Sequence, residues 1–382
     1  MRTCLVVILL FVILFSSLSF AQDKTYTVEN KDGVRIVNNK KPLWDDEPKV
    51  ALEFVQKIGE TDGQDRNYLL NKPCGIVKDK TGNIYILDAG NYRVQVFDPK
   101  GIIIKTIERQ GEGPGEFSEP VSIDMDEIGN LYVGNEMTNN IIVLNPDSKE
   151  ISRFSVENRL PEFHLLSNKN VVVPNTRGAI RHGKTISLRY NAFGEGNLYR
   201  IYNTNGDSLA AFAYPTPYPI RSIMGLKGNS STKAVDNLDN IFVSFNHQNR
   251  IEKYSSSGTL KMKINREKSY KETKNTELKA GPLPYINIFS FSLDVDSNGN
   301  IWNLSLSKQP SEEEIKSNDI TGLMEFEIFN SDGVHLGTIP FGFTLHNVST
   351  NNFLKMKIID DYLYIIDPEY EMCAYEYRIV EK

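Results

Sequence analysis

The stretch GNIYILDAGNYRVQVFDPKG, residues 82–101, alternates apolar and polar residues twice, breaks at DAGN and closes on DPKG. Nearly the same pattern returns in DNIFVSFNHQNRIEKYSSSG, residues 239–258. Setting Asn83 against Asn240 aligns 83–97 with 240–254 without a gap, and NLYVGNEMTNNIIVL (130–144) fits the same frame. Period-two alternation bounded by Gly, Asp, Asn and Pro predicts antiparallel strands joined by tight turns. From Gly75 to Ile107 the whole unit is strand, tight turn, strand, short loop, strand, tight turn, strand.

Weaker copies fill the rest of the chain. The third runs from His164 through NVVVPN to LYRIYNTNGDSLAAF, and the fifth from FSFSLDVDSNGNIWNLSL through LMEFEIFNSDGVHLGTI. The sixth, FLKMKIIDDYLYIIDPEYEMCAYEYRIVEK, has three strands only, and a missing outer strand is available in KVALEFVQKIG, residues 49–59. Four-stranded units that cannot bury both faces alone bury them by stacking around an axis. Pairing the N-terminal strand with the last three closes the ring and removes two exposed edges. The prediction is an all-β, six-bladed β-propeller of four-stranded antiparallel blades over 49–382. Residues 22–48 form an extension with a hairpin in TYTVENKDGVRIVNN.

The segments GEGPGEFSEPVSIDMDEIGNLYV (111–133) and GNIYILDAGNYRVQVFDPKG resemble NHL repeats. The match is good in blades one and two, fair in four and decayed in three, five and six. The resemblance implies a six-bladed propeller. It implies little chemistry, because such propellers serve as binding modules, extracellular sensors and, less often, metal-dependent lyases or lactonase-like hydrolases.

The first residues, MRTCLVVILLFVILFSSLSFAQ, place one Arg ahead of an apolar run that ends in the small-residue site Ser19-Phe20-Ala21. This reads as a secretory signal over 1–21, cleaved after Ala21, with an uncleaved N-terminal anchor as the competing reading. No later segment is long and apolar enough to span a bilayer, so a secreted or periplasmic location is expected. The formal net charge is −6, and loss of Arg2 with the leader takes it further negative. Nucleic-acid binding needs a basic footprint, so nucleic acid is not an expected partner. Of the cysteines beyond the leader, Cys74 falls on an innermost strand and Cys373 on a third strand. Strands two apart are about 9–10 Å from each other, beyond the roughly 4.4–6.8 Å Cα spacing of a disulfide, so two free thiols are expected.

In a meander, successive connections fall on opposite ends of the sheet. One set is short throughout: DKTGN, DEIGN, DNLDN and DSNGN, then DPKG, NTNGD, SSSG and NSDG. Every long insertion belongs to the other face: 174–197, 306–322, and the crossovers 213–230, 265–288 and 340–351. Elaboration confined to one face marks it as the functional face, since loops on a rigid frame carry recognition. Neutral drift in loop length is the alternative, but drift acts on both faces.

Within that face, the residue just after each second strand is polar in most blades: Asp88, Asn135, Asn175, Ser305 and Asp367, with Phe245 the exception. Such a ring can line the channel mouth and bind a polar ligand or a cation such as Ca²⁺, with Asp88 and Asp367 as first metal candidates. The plainer alternative is that Asp and Asn bond their own turn backbone. The blade-three insertion carries Arg177, Arg181, His182, Lys184 and Arg189, a local charge reversal that suits an anionic partner, the plainer alternative being a solvated loop or one that neutralises the acidic insertion with Glu312, Glu313 and Glu314. Tyr214, Tyr218 and Tyr285 can stack on a sugar or pack their own loops.

Five histidines, His164, His182, His247, His335 and His346, stand singly, with no two at metal-ligand spacing. GEGPG (111–115) leads into a strand rather than a helix and reads as a crossover turn. No GxSxG or HExxH occurs. The leading expectation is therefore a non-catalytic module with no fixed cofactor, binding a small polar or anionic ligand, a glycan or a partner protein. The alternative is a metal-dependent hydrolase or lyase at the channel mouth, using Asp88, Asn135, Asn175 and Asp367.

Overall fold

The computed structural model describes residues 25–382 apart from 45–46, 61–62, 109, 158, 176–179, 183–184, 188–195, 220–221, 278–284, 318–319 and 343–353. An N-terminal hairpin, β1 (Tyr26–Lys31) and β2 (Val34–Asn39), precedes a long strand β3 (Val50–Ile58). Blade one comprises β4 (Pro73–Lys78), β5 (Ile84–Asp88), β6 (Arg93–Phe97) and β7 (Ile103–Glu108). Blade two comprises β8 (Pro120–Met125), β9 (Leu131–Asn135), β10 (Asn140–Leu144) and β11 (Glu150–Ser155). Blade three has β12 (His164–Leu165) and β13 (Val171–Pro174), then a side hairpin β14 (Ile180–His182) and β15 (Thr185–Ser187), then β16 (Tyr199–Tyr202) and β17 (Ser208–Phe212). Blade four comprises β18 (Ser231–Val235), β19 (Ile241–Phe245), β20 (Ile251–Tyr254) and β21 (Leu260–Arg266). Blade five comprises β22 (Ser292–Val295), β23 (Ile301–Leu306), β24 (Met324–Phe329) and β25 (His335–Pro340). Blade six comprises β26 (Lys355–Ile359), β27 (Tyr362–Asp367) and β28 (Cys373–Glu381), and β3 pairs antiparallel with β28 to complete it. The six-bladed all-β ring is thereby closed by strands from both ends of the chain.

One short-turn motif explains why the strands start where they do. Asp79 Oδ1 accepts the amides of Thr81 and Asn83 at 2.9 Å, while its Oδ2 accepts Asn83 Nδ2 at 2.8 Å. Asp126, Asp236 and Asp296 repeat these bonds in blades two, four and five. The fourth turn residue is left-handed: Gly82 at φ 88°, Gly129 at 84° and Gly299 at 78°, a conformation open to glycine. Blade four puts Asp239 there at 60°, where its carboxylate accepts Ser167 N and Oγ at 2.8 and 2.6 Å from blade three.

The core is divided among the blade interfaces. Val94, Val96, Val133 and Ile142 fill the space between blades one and two; Phe242, Ile264, Leu293 and Phe329 do so between four and five. Trp302, Phe326, Leu363 and Ile365 form the largest such layer, between five and six. Each blade's inner strand adjoins the next, and β26 returns to β4, so β4, β8, β12, β18, β22 and β26 surround an axial channel. Cys74 and Cys373 are free thiols.

The N-terminal extension is a strap around three blades. β2 adds in parallel to the outer strand β21, extending blade four to six strands. Leu43 and Trp44 then donate their amides to His335 and Leu336 carbonyls of blade five at 3.0 and 2.7 Å, before β3 joins blade six. Asn39 accepts His335 N at 2.8 Å and donates Nδ2 to Gly333 O at 3.0 Å.

Candidate binding site at the long-loop end of the channel

Strand direction puts the connections between second and third strands, and the crossovers, at one end of the channel. The side hairpin β14–β15, the short helix Ile223–Lys227 and the short helix Glu312–Ser317 all belong to that end. The inner strands are in common register there. Asp124, His164, Ala234, Asp294 and Lys357 lie opposite Tyr132, Val172, Phe242, Trp302 and Tyr364, the second residues of the adjoining strands or their equivalents. Two residues earlier, nearer the long-loop end, stand Gly75, Ser122, Glu162, Thr232, Ser292 and Lys355, one from each blade. In a ring of six, Glu162 in blade three and Lys355 in blade six face each other across the axis.

The deeper positions stitch the blades together. Asp124 accepts Leu165 N at 2.9 Å and Asp294 accepts Ile358 N at 2.6 Å, each from the next blade. Ser122 Oγ likewise accepts Phe163 N, and Ser292 Oγ accepts Met356 N. Burial pushes both Asp carboxyls above their ordinary range, against the pull of Lys357. Burial would lower Lys357, but Asp294 and Asp124 outweigh it and raise it. His164 is held well below its usual value by burial and by Lys233, so it is neutral at pH 7.

The long-loop end opens into a cavity of about 360 Å³. Its floor shares Glu162, Thr232, Ser292 and Lys355 with the channel, and Leu198, Tyr199, Phe291 and Leu354 supply apolar wall. Glu162 Oε1 accepts a bond from the buried Lys233 ammonium at 2.7 Å. Burial opposes ionisation of Glu162, but Lys233 and Lys355 prevail and bring it down to about 2. Lys355 Nζ donates to Cys74 O at 2.9 Å. Among the described residues no carboxylate lies within ion-pair distance of it.

The residues closing the second strands serve the loops beside them. Asp88 is fully buried. Its carboxylate accepts Asn71 N at 2.6 Å, Asn91 Nδ2 at 2.8 Å and Arg93 Nε at 2.6 Å. Asn135 repeats this in blade two, accepting Ser118 N at 3.0 Å and donating to Asn140 Oδ1. Asn175 donates to Asn197 O at 2.7 Å across the base of the long loop and lines the cavity. Asp367 accepts the amides of Glu369, Tyr370 and Glu371 in its own loop. Of the four, Asp367 makes the turn-forming bonds to its own backbone that Asp side chains favour, whereas Asp88, Asn135 and Asn175 tie in backbone 17 to 22 residues away. Among the described residues no three His, Cys, Asp or Glu converge as metal ligands do. His164 lines the channel, whereas His247 bonds Asn287 O in a loop. Arg177, Lys184, Arg189 and His346 lie outside the described residues, and Arg181 and His182 are placed by backbone on β14.

Glu162, Lys233 and Lys355 were not singled out by the sequence pattern. For the two lysines a signal is nevertheless present: Lys233 in STKAV stands where GIV and SID carry Ile76 and Ile123, and Lys355 in KMKII where they carry Gly75 and Ser122.

The fold and channel define a six-bladed β-propeller. Residues 65–178 match the model of the DUF5128 family, described as a 6-bladed beta-propeller. Among curated proteins, NHL repeat-containing protein 2 of Bos taurus is 29% identical over 131 residues, covering 31% of this chain and 18% of that protein. Its Gallus gallus counterpart is 31% identical over 112 residues, covering 26% and 15%. The chain thus spans less than a fifth of these relatives' length. NHL-type repeats are what both the sequence and these relatives have in common. Two crystal structures show the same fold across nearly the whole chain. A putative exported protein from Bacteroides fragilis has TM-score 0.55 at 12% identity, covering 91% of this chain and 99% of that one. A DUF4221-family member from Bacteroides vulgatus has TM-score 0.54 at 10% identity, covering 87% and 99%.

Proposed function

We propose that this propeller is an exported, non-catalytic binding module that takes a small anionic ligand into the long-loop cavity. The observation that carries this reading is Lys355: a lysine lining both the channel and a ligand-sized cavity, whose ammonium bonds a neutral carbonyl and has no carboxylate within ion-pair distance among the described residues. A lysine so placed has donors to spare, and the Thr232 and Ser292 hydroxyls beside it add neutral ones. A carboxylate bound there gains charge-assisted bonds, each worth on the order of 1.5–3 kcal/mol. Export rests on the leader-like residues 1–21. Among the described residues, no helix is long and apolar enough to cross a membrane.

The test is a thermal-shift screen of the full chain with monocarboxylates, uronates and inorganic phosphate, repeated on Lys355→Met. A stabilising anion whose effect disappears in the variant, with the unliganded melt unchanged, supports the site. An anion that stabilises both proteins equally removes Lys355 from recognition and the reading with it.

A further inference from the structure

The cavity floor carries a second charge that a simple anion site does not need. Glu162 reaches the mouth of the channel from blade three, directly across the axis from Lys355. Lys233 holds one of its oxygens, yet the Glu162 side chain remains 36% exposed where it lines the channel and the cavity. Lys233 itself is fully buried, so its charge is spent on Glu162 and is out of a ligand's reach. A ligand entering from the long-loop face therefore meets one ammonium and one carboxylate on opposite walls, with hydroxyls between them and apolar side chains above.

Building on the anion-binding reading above, we propose that the ligand is a free α-amino acid with an apolar side chain. Its carboxylate meets Lys355, Thr232 and Ser292, its ammonium meets the open oxygen of Glu162, and its side chain lies against Leu198, Tyr199, Phe291 and Leu354. The chemistry selects this class on two grounds. A monoanion leaves Glu162 facing it, a like-charge contact that disfavours binding. A monocation faces Lys355 in the same way. An α-amino acid carries both charges on groups attached to one carbon and satisfies both walls, while its apolar side chain is matched by a wall that a sugar or phosphate leaves unused. The cavity of about 360 Å³ lies in the range of small-ligand sites.

Calorimetric titration of the full chain with the twenty standard amino acids tests this, followed by the deaminated acid and the decarboxylated amine of the tightest binder. The expected result is an apolar amino acid bound on the order of tenfold or more tighter than either derivative, the worth of one charge-assisted bond. Equal binding of the deaminated acid overturns the zwitterion and leaves the anion site standing. If neither the amino acids nor the acid bind, the amino-acid reading falls, and the anion reading falls with it when uronates and phosphate also leave the melt unchanged. Glu162→Gln keeps an oxygen for Lys233 and is expected to erase the preference for the amino acid while retaining the acid. Should that variant fail to fold, the ligand series on the natural chain decides alone.

Discussion

Asp124 and Asp294 occupy the same register position in blades two and five, opposite each other in the ring, and each accepts an amide from the following blade's innermost strand. The two bonds are made at 2.9 and 2.6 Å, to Leu165 and Ile358. Together with Ser122 and Ser292 they form a twofold pattern inside a sixfold ring, and blade-to-blade spacing at the axis is set by side chains rather than by strand pairing.

The pH behaviour of this stitch follows from its burial. Burial raises both Asp carboxyls, so their contribution to folding is fully present below the ordinary Asp range and is lost as pH rises through the raised value. Asn supplies an acceptor without a charge to desolvate. Asp124→Asn should therefore gain stability relative to the natural protein as pH goes from 4 to 7, read as the difference in urea midpoints. A variant that loses ground over that range would show that Lys357, not burial, governs the site.

Glu327 behaves oppositely. It is buried beside Arg266 at 3.2 Å and Lys268 at 3.1 Å, between blades four and five. Burial opposes its charge, but the two cations prevail and bring it down to about 2. A depressed carboxyl stabilises the fold above its unfolded value, and the contribution disappears as pH falls from about 4.5 toward 2. Glu327→Gln is expected to cost on the order of 3 kcal/mol at pH 7, at 1.36 kcal/mol per unit. The gap should narrow steadily below pH 4.5. Urea unfolding at pH 7 and pH 3.5 checks it, and a gap that stays constant refutes the assignment.

Much of the ring was legible in the sequence because blade turns are local devices. Asp79 and Asp126 repeat one bonding pattern within five residues, and such a motif survives wherever its strands do. The strand from 49 to 59 could be placed because a three-stranded last copy lacked an edge. The site was less legible. Asp88 and Glu162 are both acids in a repeat, and the sequence does not say which one faces its own loop and which one faces the axis. That distinction depends on where Asn71 and Lys233 arrive from other segments. The strap was equally hidden, since the parallel pairing of Val37 with Ile264 joins residues from opposite parts of the chain without a shared turn.

Asp88 and Arg93 offer a direct separation of scaffold from site. Arg93 also donates to Leu69 O at 2.8 Å and Arg66 O at 3.2 Å, so the pair fastens the crossover into blade one. Asp88→Ala leaves a buried guanidinium without its carboxylate, a loss of roughly 3–5 kcal/mol. Chemical denaturation should show that loss, while the folded variant keeps the ligand affinity of the natural chain, because the Asp88 bonds go to scaffold. A variant of unchanged stability that no longer binds would make Asp88 a ligand contact.

Trp44 gives the strap an apolar side-chain hold on blade five, beside the polar one of Asn39. A Cβ at Gly337 of β25 would stand 2.4 Å from Trp44 Cε3, so the indole lies directly on the glycine backbone. Trp44 is half-buried against the layer between blades five and six, and Trp44→Ala is expected to cost on the order of 2 kcal/mol, below the ~3–5 kcal/mol of a fully buried Trp. Gly337→Ala pushes the indole off its seat and should cost roughly 1–3 kcal/mol by overcrowding. The two losses share one contact, so they should not add. In the Trp44→Ala background the methyl of Gly337→Ala meets open space, and the second substitution should cost almost nothing. Urea unfolding of the natural chain, both single variants and the double variant closes the cycle. Additive losses would mean that the indole and Gly337 do not share a contact, leaving the strap held by its backbone bonds to β21 and β25 and by Asn39.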